Sequence, residues 1–289
     1  MANIKILSDF DGVWTNQGLE ADEVKRWIYE ESARLLGETD DAIKADLAAM
    51  HERMMADAGN WGWAPDGNRI SAYVDEDPLC QPSGLCLYID RSGDPKAERY
   101  RTAIIKEFGS LTAFGEHCYG SAMKSYRDRH PPCIAADAAQ QLQAVVELGA
   151  EVVVVSNSPA SKIGAWFNAV GIDAGEGPGH TLRLRGSAGK QTLGETNDSI
   201  EVGGRKIGID RPLYRTAIEE ENPDVIIGDV FSLDLALPHV MRTQGVPSAP
   251  QRLVLRAHAH TPSWILDTHA DGAINNFVDS FGALASLLA

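Results

Sequence analysis

The chain of 289 residues has few cysteines and few basic residues, and each shortage argues against a class of protein. The four cysteines are Cys80, Cys86, Cys118 and Cys133. They show no Cys-x-x-Cys spacing, so a zinc site is not expected and reduced thiols are the simplest interpretation. Lysine and arginine number 26 against 41 aspartates and glutamates, for a formal charge of −15. Because nucleic-acid binding needs clustered cations, we expect no nucleic-acid partner.

Long apolar stretches are also missing. None reaches the ~18 residues of a membrane span, and the amino terminus shows neither a basic region nor an apolar signal segment. We therefore expect no membrane contact and a cytoplasmic location. Internal repeats and low-complexity segments are absent too, and the chain is long enough to bury a substantial core in one large domain or two.

Two aspartates near the amino terminus are the most informative feature. The apolar run 4–7 predicts a strand, residues 3–8, that delivers Asp9 and Asp11 into the turn at Gly12. Parallel α/β sheets bind ligands along the carboxyl edge of their strands. Clustered carboxylates suit Mg²⁺, although a solvated Asp-x-Asp turn is the alternative for this segment taken alone.

Later segments repeat this arrangement. The β-branched run 151–155 ends at Ser156 and Asn157, and the run 224–227 ends at Gly228-Asp229, with Asp234 five residues beyond. Between them, cations precede Pro212, which begins a predicted helix 212–220. Strands are also predicted at 181–185 and 253–255, a hairpin at 200–209, and a last helix at 277–288.

The segments 9–15 (Asp-Phe-Asp-Gly-Val-Trp-Thr), 155–157 (Val-Ser-Asn) and 228–234 (Gly-Asp-x-x-x-x-Asp) resemble three of the four motifs of the haloacid dehalogenase (HAD) superfamily. Residues 270–274, before 281–284, are similar to its closing strand and helix. The resemblance implies an α/β fold with a doubly wound, mainly parallel Rossmann-like sheet. It also implies an Mg²⁺-dependent phosphohydrolase, because most members have that activity.

The resemblance also implies a role for each motif residue. Asp9 would attack phosphorus, and Asp11 would act as general acid and then as general base. Asp9, the backbone carbonyl of Asp11 and Asp229 would hold Mg²⁺. Asp234 would bind a metal-bound water or orient a cation.

Ser156 and Asn157 would hydrogen-bond the phosphoryl oxygens. The family's third motif supplies a cation, for which Lys206 and Arg211 rank about equally and Lys190 slightly behind. Members of the family that dehalogenate lack an acid at the position of Asp11, so phosphoryl transfer is favoured. The pair His258-x-His260 is interpreted as structural or solvated.

The two first strands are separated by about 140 residues, far more than the single helix that joins neighbouring parallel strands. Residues 135–148 can supply that helix. The surplus predicts a mainly helical domain at 18–130, with irregular loops and at most a short hairpin at 58–93. A HAD insertion at this place is a C1-type cap, so the core domain would comprise residues 1–17 and 131–289.

The expected function is hydrolysis of a small phosphorylated metabolite through an aspartyl-phosphate. A phosphomutase or phosphotransferase would use the same motifs and is the first alternative. A catalytically inactive binding module with the HAD fold is the second alternative. The sequence determines neither the substrate nor the oligomeric state.

Overall fold

The computed structural model describes residues 4–269 and 272–289. The chain divides into two compact units, one formed by Met1–Asn16 with Pro132–Ala289 and the other by Gln17–Pro131. The first strand is β1 (Ile4–Ser8). The second unit contains α1 (Gly18–Leu36), α2 (Asp40–Ala56), β2 (Gly62–Trp63), β3 (Ala72–Tyr73), α3 (Cys80–Arg91), α4 (Pro95–Phe108) and α5 (Leu111–Arg129).

The first unit continues after this segment. Its elements are α6 (Ala138–Val146), β4 (Ala150–Val155), α7 (Ala160–Ala169), β5 (Ala174–Gly175), β6 (Leu182–Arg185), β7 (Ser199–Val202), β8 (Arg205–Gly208), α8 (Pro212–Glu221), β9 (Val225–Gly228), α9 (Ala236–Thr243), β10 (Arg252–Arg256), α10 (Ser263–Leu266), β11 (Asn276–Val278) and α11 (Leu284–Leu288).

Within the described residues, seven strands form one sheet in the order β11-β10-β9-β1-β4-β6-β5, and every neighbouring pair is parallel. The chain first builds outward from β1 on the β4 side, and then returns to build outward on the β9 side. This reversal is the topological switch point at which open α/β sheets bind ligands. The predicted doubly wound α/β fold is thereby confirmed.

The central strands are buried on both faces, which explains their β-branched sequences. All four valines of 152–155 are at most 2% exposed. Beneath the first turn, the ring of Phe167 lies edge-on to those of Phe10 and Trp14, with centroids 5.3 and 5.2 Å away. The Trp14 indole Nε1 donates to Ser8 Oγ at 2.9 Å. This packing ties the residues around Asp9 to α7.

The second unit is mainly helical and has its own apolar cluster, which includes Ile43, Leu47, Met54 and Phe114. The prediction of irregular loops at 58–93 was wrong for its second half, where α3 forms. Pro82 and Gly84 weaken the helical pattern of that segment. A Cβ at Gly84 would lie 2.1 Å from Val74 Cγ1, so tertiary packing requires the glycine there.

The predicted last helix 277–288 was wrong in its first part. Residues Asn276–Val278 instead form β11, because they pair with β10 at the sheet edge, and α11 begins at Leu284. Of the predicted closing strand, Ala270 and Asp271 lie outside the described residues.

All four cysteines are free thiols. Among the described helices, none combines the length and the apolar character that a membrane span requires.

Candidate active site

Three of the predicted site segments meet at the switch point of the sheet. Ser8 at the end of β1 is paired with Ile227 on β9 and with Val154 on β4. Asp9, Asp229 and Ser156 follow directly after these three strands, and the Asp9 amide donates to the carbonyl of Ile227 at 2.9 Å. Parallel strands therefore bring residues more than two hundred positions apart to one edge.

Three carboxylates gather there. Asp9, Asp229 and Asp234 each offer an oxygen atom, and these atoms lie within 4.8 Å of one another. Asp229 and Asp234 are buried. Burial, with the added effect of the other carboxylates, holds the pKa of Asp9 and of Asp229 well above the usual range. Such a cluster needs positive charge to stay ionised.

Lys190 supplies part of that charge. Its Nζ lies 2.6 Å from Asp9 Oδ1 and 2.6 Å from Asp234 Oδ1. Burial alone would lower the pKa of this lysine, but Asp234 and Asp9 outweigh it and raise the pKa above its ordinary value. Lys190 is therefore a buried ammonium ion whose charge is directed at the proposed nucleophile.

The loop after β6 is held in place by hydrogen bonds to the end of β4. The amide of Lys190 donates to Asn157 Oδ1 at 2.7 Å, and that of Ala188 donates to the carbonyl of Ser156 at 2.9 Å. The loop also passes close to α7, since a Cβ at Gly186 would lie 2.1 Å from the amide nitrogen of Ala160. Asn157 thus positions the loop that carries Lys190, a role that the motif alone did not indicate.

The structure does not place the two preferred third-motif cations at Asp9. Lys206 is an exposed residue of β8. Arg211 is buried at the start of α8, and its guanidinium donates to the carbonyls of Gly208 (3.1 Å) and Lys190. Lys190, which the sequence ranked behind the other two, lies beside Asp9 instead. The hairpin β7–β8 separates Lys190 from α8, so this cation comes well before the helix at which the third motif was expected.

Asp11 is held by the segment after β4. Its Oδ2 accepts hydrogen bonds from the hydroxyl of Ser156 at 3.3 Å and from that of Ser158 at 3.0 Å. Lys162, on the first turn of α7, places its ammonium 3.6 Å from Asp11 Oδ1. Ser156 therefore contacts the second aspartate directly, and so does Ser158, which together with Lys162 lies outside the predicted motifs.

Asp234 lies in a π-helix, Phe231–Leu235, of the kind that is often found at functional sites. Its Oδ2 accepts from the amide of Val230 at 3.1 Å, which leaves Oδ1 for Lys190. A Cβ at Gly228 would lie 2.4 Å from that Oδ2. The glycine that ends β9 therefore allows Asp234 to fold back over the strand end.

The surroundings of the Asp229 carboxylate suit a metal ligand. Both of its carboxylate oxygens are buried and lack a hydrogen-bond partner among the described residues. Gly12, with φ +78°, borders this carboxylate so closely that a Cβ would lie 1.8 Å from Asp229 Oδ2. An anion left without donors beside two other carboxylates suits a hard divalent cation. Asp9, Asp229 and Asp234 are the residues that could hold it, with the Asp11 carbonyl on the same turn.

Two histidines lie at the same edge, although the sequence predicted only a structural or solvated role for them. His258 Nε2 lies 3.3 Å from Asp229 Oδ2, and the His260 ring stacks on His258 with centroids 4.8 Å apart. Burial, together with the Arg256 guanidinium, lowers the pKa of His258 to about 4. Proximity to Asp229 follows from the pairing of β10 with β9, which no local motif reports.

No protein-family model matches the chain, and no curated protein matches it. Among solved structures, it is similar to the crystal structure of a 2-haloacid dehalogenase from Pseudomonas syringae pv. Tomato DC3000. That structure is 13% identical to this chain, with 100% of this chain and 98% of the other covered and a TM-score of 0.41. A similarity at this level leaves the activity of the chain to be argued from its own residues.

Proposed function

We propose that this protein is an Mg²⁺-dependent phosphatase of the HAD type, which hydrolyses a small phosphorylated metabolite through an aspartyl-phosphate on Asp9. The observation that carries the proposal is the arrangement of Asp9 between a buried ammonium and two further carboxylates. Lys190 lies 2.6 Å from Asp9, while Asp229 has two buried oxygens that lack hydrogen-bond donors among the described residues.

Phosphate monoesters resist hydrolysis because an anionic nucleophile must approach an anionic phosphoryl group. A bound Mg²⁺ would neutralise charge on the phosphoryl oxygens and on the carboxylates around it. The Lys190 ammonium also neutralises charge at the site, since it offsets the negative charges of Asp9 and Asp234. The nucleophile can then be ionised and still meet the phosphate.

The reaction has two steps. The Asp9 carboxylate forms a bond to phosphorus as the bond from phosphorus to the ester oxygen breaks, and Asp11 gives its proton to that oxygen. Asp11, now a carboxylate, takes a proton from water, and the resulting hydroxide attacks phosphorus and releases Asp9. Hydrogen bonds from Ser156 and Ser158 hold the Asp11 carboxyl in one orientation through both steps.

Asp11 supports phosphoryl chemistry over dehalogenation. A departing halide is a weak base and needs no proton, whereas a departing alkoxide is a strong base and needs one. An acid that two serine hydroxyls orient beside the nucleophile serves the second case. The cation Lys162 at 3.6 Å places a further positive charge near the same carboxyl.

The test is release of inorganic phosphate from p-nitrophenyl phosphate and from a panel of phosphorylated metabolites, with Mg²⁺ or with a chelator, and without any added sugar bisphosphate. Asp9→Asn should lose at least about 10³-fold in turnover, because an amide cannot attack phosphorus. Asp11→Asn should accumulate a phosphoryl adduct on intact protein, since the nitrophenolate leaves without a proton whereas the second step lacks its base. The exposed Asp267→Asn is the matched control.

Near-normal phosphate release by Asp9→Asn would refute the assignment. Halide release from a 2-haloacid, without phosphate release from any ester, would show that the site performs substitution at carbon instead.

A further inference from the structure

The segment after β10 brings a second group of side chains to Asp229. Leu255 on β10 is paired with Gly228, the last residue of β9, so the residues that follow both strands emerge at the same edge. Asp229 is the first residue after β9, and His258 lies two residues beyond the end of β10. This neighbourhood follows from strand order alone.

Asp229 needs a hydrogen-bond donor that the predicted motifs do not supply. Lys190 is engaged with Asp9 and Asp234, and both oxygens of the buried Asp229 carboxylate lack a hydrogen-bond partner among the described residues. A buried acceptor left in that state lowers stability, and a charged one lowers it more. His258 Nε2 lies 3.3 Å from Asp229 Oδ2 and can supply this donor.

Neighbouring groups hold the imidazole in place beside Asp229. The backbone amide of His258 donates to Thr261 Oγ1 at 2.8 Å, and the ring of His260 stacks on the imidazole at an interplanar angle of 13°. Arg256 Nη1 lies against both nitrogens of the ring, at 2.6 Å from Nε2, and the Gly12 backbone also hydrogen-bonds the imidazole. Nε2 is the nitrogen that lies 3.3 Å from Asp229 Oδ2, so the tautomer that carries its proton on Nε2 can donate to that oxygen.

We propose that His258 is a positioning residue for the metal site, in which its Nε2–H donates to Asp229 Oδ2 and holds the carboxylate in an orientation that would bind the cation. This inference rests on the proposed function, because it assumes that Asp229 binds Mg²⁺. Groups that orient a metal-binding carboxylate from behind are typically worth 10–100-fold in metal affinity. The Asp229 carboxylate would otherwise be free to rotate away from the other two.

The experiment is isothermal titration of Mg²⁺ into the purified, chelator-treated full chain in the absence of substrate. His258→Leu removes the donor at similar volume, and we expect Mg²⁺ binding about 10–100-fold weaker. His258→Gln places an amide N–H near the position of Nε2, and most of the affinity should return. His180→Leu, an exposed histidine of the same unit that pairs with Asp173, is the control and should bind Mg²⁺ like the wild type.

The increase in melting temperature on adding Mg²⁺ gives a second readout, since a ligand that binds the folded state stabilises it. The wild type and the glutamine variant should show this increase, and the leucine variant should lose most of it. Thermal unfolding of the metal-free proteins separates this effect from a folding defect.

Equal Mg²⁺ affinity in His258→Leu and in the wild type would overturn the inference and leave the proposed function intact. A glutamine variant as weak as the leucine variant would also overturn it, because an imidazole specifically, and not a donor, would then be required. A wild-type protein that bound no Mg²⁺ would refute the proposed function together with the inference.

Discussion

Replacing Lys190 with methionine tests the electrostatic design of the site. Methionine preserves much of the buried volume but removes the ammonium that lies 2.6 Å from both Asp9 Oδ1 and Asp234 Oδ1. At an effective dielectric constant of about 20, each contact at this distance corresponds to about 6 kcal/mol of Coulomb attraction before desolvation is subtracted. Removing one member of a buried ion pair typically costs about 3–5 kcal/mol of folding free energy.

We therefore expect Lys190→Met to lose about 3–5 kcal/mol of unfolding free energy near neutral pH in metal-free protein. Turnover should fall by at least about 10²–10³-fold, because a preorganised positive group at the reacting centre is lost. Urea titrations followed by circular dichroism give the first quantity, and phosphate release gives the second. Lys206→Met, on the exposed face of β8, is the control and should change neither.

The stability loss should also depend on pH. The pKa of Asp9 is already raised by burial, and Lys190 opposes that rise. Without the lysine, the pKa rises further, so the folded variant binds more protons than its unfolded chain and gains stability as the pH falls. The deficit relative to the wild type should shrink on acidification. Wild-type stability and turnover in Lys190→Met, or a deficit that grows on acidification, would refute this reasoning.

Two further predictions concern the turn and the loop of the site. Gly12→Ala should abolish Mg²⁺ binding in calorimetry, because its Cβ would lie 1.8 Å from Asp229 Oδ2. Gly37→Ala is the control, since Gly37 also has a positive φ but no atom within 4 Å of an added Cβ, and it should leave binding intact. Retained binding in Gly12→Ala would contradict the close approach. Asn157→Leu leaves the Lys190 amide without its acceptor, so we expect the protein to lose about 1–3 kcal/mol of unfolding free energy. The kcat should fall while the Mg²⁺ affinity stays unchanged. An unchanged kcat would show that other contacts hold the loop.

Much of the site could be predicted because its carboxylates follow β-branched strands directly. Asp9 and Asp229 each come after a short apolar run, and parallel strands place such residues at one edge whatever their separation in the chain. The sequence therefore predicted which carboxylates meet. Their catalytic roles stay predictions until the variants above are measured.

Lys190 and His258 could not be located in the same way. The position of Lys190 depends on a loop that is fixed by Asn157 and on a hairpin inserted before α8, neither of which follows from residue spacing. His258 reaches Asp229 because β10 is the neighbour of β9, and neighbour relations are a property of the assembled sheet. Helix α3 was missed for a related reason, since Gly84 is dictated by contact with Val74 against its local propensity.

The central position of β1 has a consequence for how the protein is made. Its two partners, β4 and β9, begin at Ala150 and Val225, so the first strand synthesised cannot complete its hydrogen bonding until most of the chain exists. The segment Gln17–Pro131 has its own apolar cluster and local contacts, which favour early and rapid folding. On the ribosome, β1 would therefore wait while the helical unit forms. Asp9 would meet Asp234 only after synthesis has passed residue 234.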